Sequence, residues 1–87
     1  MSYKIVYTKQ ATKDAEKIKN SHLYEKAKSY INIIRENPYQ TPPFYERLRG
    51  DLDGAYSRRL NIQHRFVYEV LEQEETIKII SMWGHYE

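Results

Sequence analysis

Apolar residues along this chain change period twice. Tyr3-Lys4-Ile5-Val6-Tyr7 is short, aromatic and β-branched, which predicts a strand. Ala11, Ala15 and Ile18 then recur at helical spacing, with Thr8 placed as the N-cap. After a break at Asn20-Ser21, Leu23, Ala27, Tyr30, Ile31 and Ile34 keep the same period. Ser21 suits the cap of this second helix and Asn37-Pro38 its end. Thr41-Pro42-Pro43 predicts a stiff, extended connector. Beyond it the pattern turns to strands: Phe44 to Arg49, Ala55 to Leu60, His64 to Leu71 and Thr76 to Trp83. They are separated by a glycine-hinged loop from Gly50 to Gly54, a tight turn at Asn61-Ile62-Gln63 and a polar turn from Glu72 to Glu75. The strand from His64 is the clearest. Phe66, Tyr68 and Val70 lie on one side, Arg65, Val67 and Glu69 on the other. The order β-α-α-β-β-β-β predicts an α+β fold, a two-helix hairpin packed on a mainly antiparallel twisted sheet, in a single domain over residues 1–87.

Composition narrows this. A chain of 87 residues buries only about 60–65% of its unfolded surface, so the core is thin. It has no cysteine, which excludes disulfides and thiolate metal sites and fits a reducing, cytoplasmic setting. No stretch approaches the roughly 20 apolar residues of a membrane span, so no membrane partner is expected. The net charge of +2 hides a local imbalance. Arg47, Arg49, Arg58, Arg59 and Arg65 face only Asp51 and Asp53 in the same stretch, while Glu69 to Glu75 is acidic. A polyanion would meet basic surface at particular places. Nine tyrosines are more than so small a core needs, which leaves some for base stacking or an interface.

Several side chains carry candidate chemistry, each with a plainer alternative. Glu46 is either a solvated strand glutamate or a general base held near arginines. Arg65, in an apolar strand, either pairs with a cross-strand carboxylate or stabilises charge on a phosphorane. Arg58 and Arg59 point to opposite faces, so only one of them can share a surface with Arg65. His85 is either a frayed terminal residue or, with Trp83 anchoring the tail, a proton donor near neutral pH. Tyr86 can stack on a base or orient a phosphate. The stripe Lys9, Lys13, Lys17 is either a solvated helix face or a polyanion footprint. No His, Asp or Glu spacing matches a metal motif, and no glycine-rich phosphate loop or nucleophile elbow is present.

Glu46-x-Leu48, Leu52-x-Gly54-x-x-Ser57-Arg58-Arg59, His64-Arg65-x-Val67-Tyr68 and the terminal His85-Tyr86 together resemble the YoeB/Txe branch of the RelE-like toxins. The motifs cover about half of the chain, and the element order is consistent over all of it. The chain departs from the pattern by adding Glu87 after the tyrosine. The resemblance implies a toxin of a type II toxin–antitoxin pair that enters the ribosomal A site and cuts mRNA, with no metal or cofactor. It implies Glu46 as base, Arg65 as phosphate stabiliser, His85 as general acid and Tyr86 beside it, with Arg49 and Arg59 near the RNA. Its implied partners are a cognate antitoxin of the YefM/Axe kind, the ribosome and mRNA. Exposed tyrosines and a thin core add homodimerisation as an expectation. Two other readings stay open: a ParE-like toxin that poisons DNA gyrase by binding, and a non-catalytic RNA- or protein-binding module.

Overall fold

The computed structural model describes residues 2–50 and 54–84. Its elements are β1 (Lys4–Tyr7), α1 (Lys9–Lys19), α2 (Tyr24–Glu36), β2 (Tyr45–Arg47), β3 (Ala55–Arg59), β4 (Arg65–Leu71) and β5 (Thr76–Ser81). A 3-10 turn over Glu72–Glu74 joins the last two strands. The order is the one the hydrophobic pattern predicts, with the later strands shorter at their ends. The sheet runs β1-β5-β4-β3-β2. Pairing is antiparallel except for β1, which lies parallel to β5. None of the helices among the described residues is long and apolar enough to cross a membrane.

Thr8 caps α1 as its position predicts. Its Oγ1 accepts from the Ala11 N–H at 3.0 Å and donates to the Ile80 carbonyl at 2.8 Å, so one hydroxyl starts the helix and docks it on β5. Ser21 does not cap α2. That helix begins at Tyr24, behind Leu23 in helical conformation with no side-chain cap. Ser21 instead donates to the Ile18 carbonyl and accepts from the Leu23 N–H. This side-chain turn closes the hairpin and delivers Leu23 into the core.

Ile18, Leu23, Ala27, Tyr30 and Ile34 pack on Phe66, Tyr68, Ile77, Ile79 and Met82. Tyr30 meets Phe66 edge-on, with ring centroids 5.9 Å apart. Phe66 and Tyr68 therefore face the helices, as alternation along β4 predicts. A bulge at Val67/Tyr68 shifts the β4–β5 register by one residue.

Two charged residues are fully buried. Asp14 sits on the buried face of α1, where its carboxylate accepts from Gln10 Nε2 at 2.8 Å and from the Met82 N–H at 3.0 Å. Arg58 is 0% exposed. Its guanidinium donates to the Tyr68 hydroxyl and to the carbonyls of Pro38, Gln40 and Pro43, with the Tyr45 ring 5.0 Å away. The connector before β2 is thus not the extended spacer its prolines suggest. It curls so that three of its carbonyls converge on one cation.

Candidate active site

Cross-strand pairing fixes which side chains meet. Glu46 lies opposite Ser57, and Arg59 lies opposite Arg65. Paired residues share a face, and so do residues two apart on a strand. Glu46, Ser57, Arg59 and Arg65 therefore gather on the sheet face away from the helices. Arg58, one position from Arg59, takes the other face and is structural.

Arg65 spans two strands. Its Nη1 donates to Glu46 Oε1 at 2.9 Å, reaching from β4 over β3 to β2. On the way the same nitrogen donates to Ser57 Oγ at 3.2 Å. A small hydroxyl beneath the guanidinium leaves room for this crossing and holds the head group in place. The Arg65 side chain is 21% exposed and that of Glu46 53%, so the arginine is held more firmly than the carboxylate. Of the two readings of Arg65, the cross-strand ion pair is present, and it lies in a cleft.

That cleft is lined by Tyr30, Pro43, Phe44, Glu46, Ser57, Arg59 and Arg65, and encloses about 270 Å³. Arg59 and Arg65 line the cleft with one carboxylate, Glu46, which pairs with Arg65, and like charges on directly opposite residues repel. A bound anion would relieve that repulsion. Tyr30 donates its hydroxyl to the Arg59 carbonyl at 2.7 Å and so ties α2 to the end of β3. Phe44 is 75% exposed on the rim. It is the kind of uncovered aromatic on which a base stacks.

The remaining predicted site residues fall elsewhere. Arg49 is exposed beyond the end of β2 and does not line the cleft. His85 and Tyr86 lie outside the described residues. The last described residue, Gly84, accepts from the Arg65 backbone N–H at 2.8 Å, so the chain runs into its terminal residues from beside the strand that carries Arg65.

Comparison with known proteins decides the family. Residues 7–86 match the family described as YoeB-like toxin of bacterial type II toxin–antitoxin system. The chain belongs to the YoeB-like toxins. A curated relative, Toxin YoeB of Synechocystis, is 35% identical over 57 residues, covering 66% of this chain and 64% of the relative. The matched stretch thus falls just short of two thirds of that relative's length. A YoeB/ParE toxin from Agrobacterium tumefaciens superposes with a TM-score of 0.87 at 30% identity, over 95% of this chain and 99% of that one. A YoeB–YefM complex from Staphylococcus aureus gives 0.72 at 31% identity over 99% and 100% of the two chains. A YoeB dimer from the same species gives 0.74 at 32% over the same shares.

In this YoeB-like chain, the motifs give no structural role to Ser57 and Phe44, which line the cleft, or to His64, which does not. Ser57 was legible only as part of a motif; sharing a face with Arg59 two positions on was its signal. The apolar pattern places Phe44 in a strand, but it lies ahead of β2, after the prolines, at the sheet margin. The same pattern starts a strand at His64, and nothing in the spacing of His64 points to the contacts that it makes.

Proposed function

We propose that this toxin is a ribosome-dependent mRNA endoribonuclease that cuts in the A site by metal-independent attack of a ribose 2′-OH. The observation that carries the reading is the Arg65 guanidinium laid across Ser57 onto Glu46, in one cleft with Arg59. Glu46 takes the proton from the 2′-OH, and that oxygen attacks the adjacent phosphorus in line. Arg65 turns from Glu46 to the equatorial phosphate oxygens. His85 protonates the departing 5′-oxygen, with Tyr86 beside it. The products are a 2′,3′-cyclic phosphate and a 5′-hydroxyl. Arg59 and Arg49 hold neighbouring phosphates. Free of RNA, the base and the phosphate clamp neutralise each other. An arriving phosphate competes for Arg65 and releases the carboxylate where the 2′-OH lies.

A cognate antitoxin of the YefM/Axe kind is the expected partner, an acidic and partly disordered chain folding over the basic face. Homodimerisation belongs to the same reading, supported by the dimer of the Staphylococcus aureus relative.

General acid–base groups each supply about 10²–10⁴-fold, or about 3–5 kcal/mol of barrier. Primer extension on translated mRNA, with Glu46→Gln and His85→Ala beside the parent, tests the proposal. Both variants should lose A-site cleavage by those factors. Parent-like cleavage by either removes its role. Accumulation of cleaved gyrase–DNA complexes without mRNA cleavage would instead favour the ParE-like alternative.

A further inference from the structure

The end of β5 and the segment after it are tied down at several points. The Ile80 carbonyl accepts from Thr8, and the Met82 N–H donates to buried Asp14. The Trp83 ring stacks on the His64 imidazole, with centroids 3.9 Å apart and planes inclined by 24°. The Gly84 N–H donates to His64 Nδ1 at 2.8 Å, and the Gly84 carbonyl accepts from the Arg65 N–H at 2.8 Å. Both polar backbone atoms of Gly84 are therefore held by the His64-Arg65 pair. Gly84 adopts φ +88°, a conformation that other residues reach only with strain.

His64 is itself fixed. Its backbone N–H donates to Asn61 Oδ1 at 2.7 Å, and its carbonyl accepts from the Leu60 and Asn61 N–H groups. His64 Nδ1 accepts, which leaves the ring N–H on Nε2. His64 thus offers an acceptor and a stacking face to the residues that follow β5.

We propose that His64 is a positioning residue. It pins Trp83 and Gly84, the two residues that precede His85 in the chain, and so supports the role of that residue. The proposal rests on His85 as the general acid. Arg65 contributes twice, through its guanidinium to phosphate and through its N–H to Gly84, so the pin and the phosphate clamp share one residue pair.

Two variants separate the contacts. His64→Phe keeps a stacking face and loses the acceptor; His64→Asn keeps an acceptor near the Nδ1 position and loses the face. Each is compared with the parent by NMR hydrogen exchange of the Gly84 amide and by cleavage of ribosome-bound mRNA. Expected for His64→Phe are Gly84 exchange at least tenfold faster and kcat lower by up to about 10²-fold at nearly unchanged KM, since a displacement of about 1 Å costs that much. His64→Asn should recover Gly84 protection in part and kcat with it. A 5′-phosphorothiolate linkage, whose sulfur leaves without protonation, should rescue His64→Phe as fully as His85→Ala. Imidazole nitrogen shifts of the parent should report the Nε2–H form of His64. Unchanged Gly84 exchange in His64→Phe, an Nδ1–H tautomer in the parent, or rescue of His85→Ala but not of His64→Phe would each overturn the proposal. Failure of the sulfur linkage to rescue His85→Ala overturns the general-acid assignment instead, and the exchange data then judge the pin by themselves.

Discussion

Replacing Arg58 with methionine removes a buried guanidinium and leaves its acceptors in place. The Pro38 carbonyl keeps a partner, because the Tyr68 hydroxyl also donates to it at 2.7 Å. The Gln40 and Pro43 carbonyls lose their Arg58 donor. A buried acceptor left unpaired costs about 1–3 kcal/mol, and these two are only part-buried, so each falls toward the low end. Hydrogen bonds to a charged donor add about 1.5–3 kcal/mol each. Opposing this is the several-kcal/mol cost of keeping a cation out of water, which methionine removes. Among the described residues Arg58 has no carboxylate partner, so dipoles and the Tyr45 and Tyr68 rings alone compensate that charge. The balance favours the arginine, with a net loss on replacement of about 2–5 kcal/mol. A chain of this size has about 4–13 kcal/mol in all. Urea unfolding should therefore show a midpoint lower by more than about 1 M. Arg58→Lys keeps the charge but lacks the fork that reaches four acceptors, and should fall between parent and Arg58→Met. A methionine variant within about 0.5 kcal/mol of the parent would refute the view that this cation organises the connector.

Three further outcomes follow from the same geometry. Asp14→Asn has one acceptor where two donors converge, so it should lose about 1–3 kcal/mol in urea unfolding, with faster exchange of the Met82 amide. Phe44→Ala should raise KM for ribosome-bound mRNA by the equivalent of about 1–3 kcal/mol, the range for one base–aromatic stack, with kcat little changed. Glu72 accepts from the hydroxyls of Tyr39 at 2.6 Å and Tyr3 at 2.8 Å, and those bonds hold its carboxyl below the usual 4.5. A lowered folded value stabilises the protein above the unfolded value and loses that stability as pH falls through the folded one. The stability gap between the parent and a Tyr3→Phe/Tyr39→Phe variant should thus be full near neutrality and shrink below about pH 4.5, as read by chemical unfolding across pH.

Element identity was legible because it rests on local signals: β-branched and aromatic residues in β1 and β4, the apolar stripe from Ala11 to Ile18, and the Thr8 cap. What was hidden needed tertiary partners. Asp14 sits among lysines in sequence and reads as solvated; the Met82 N–H that donates to it, far away in the chain, gives it a reason to be buried. Alternation assigns Arg58 and Arg59 to opposite faces but not which faces. Tyr56, two positions before Arg58, was the available hint, since an aromatic marks the covered side. The parallel pairing of β1 with β5 joins the two ends of the chain and leaves no local trace. The Glu46–Arg65 pair was legible as two candidates. Their meeting depends on cross-strand register and on a small residue at position 57.

The proposed reaction requires a ribose hydroxyl as the nucleophile beside Glu46 and Arg65. Ribosomes programmed with mRNA carrying a single 2′-deoxy nucleotide at the scissile position, mixed with the toxin in single-turnover conditions, test this directly. Cleavage should vanish at that site, while the all-ribose message gives a 2′,3′-cyclic phosphate end. Cutting of the deoxy-substituted message at the ribose rate would contradict it.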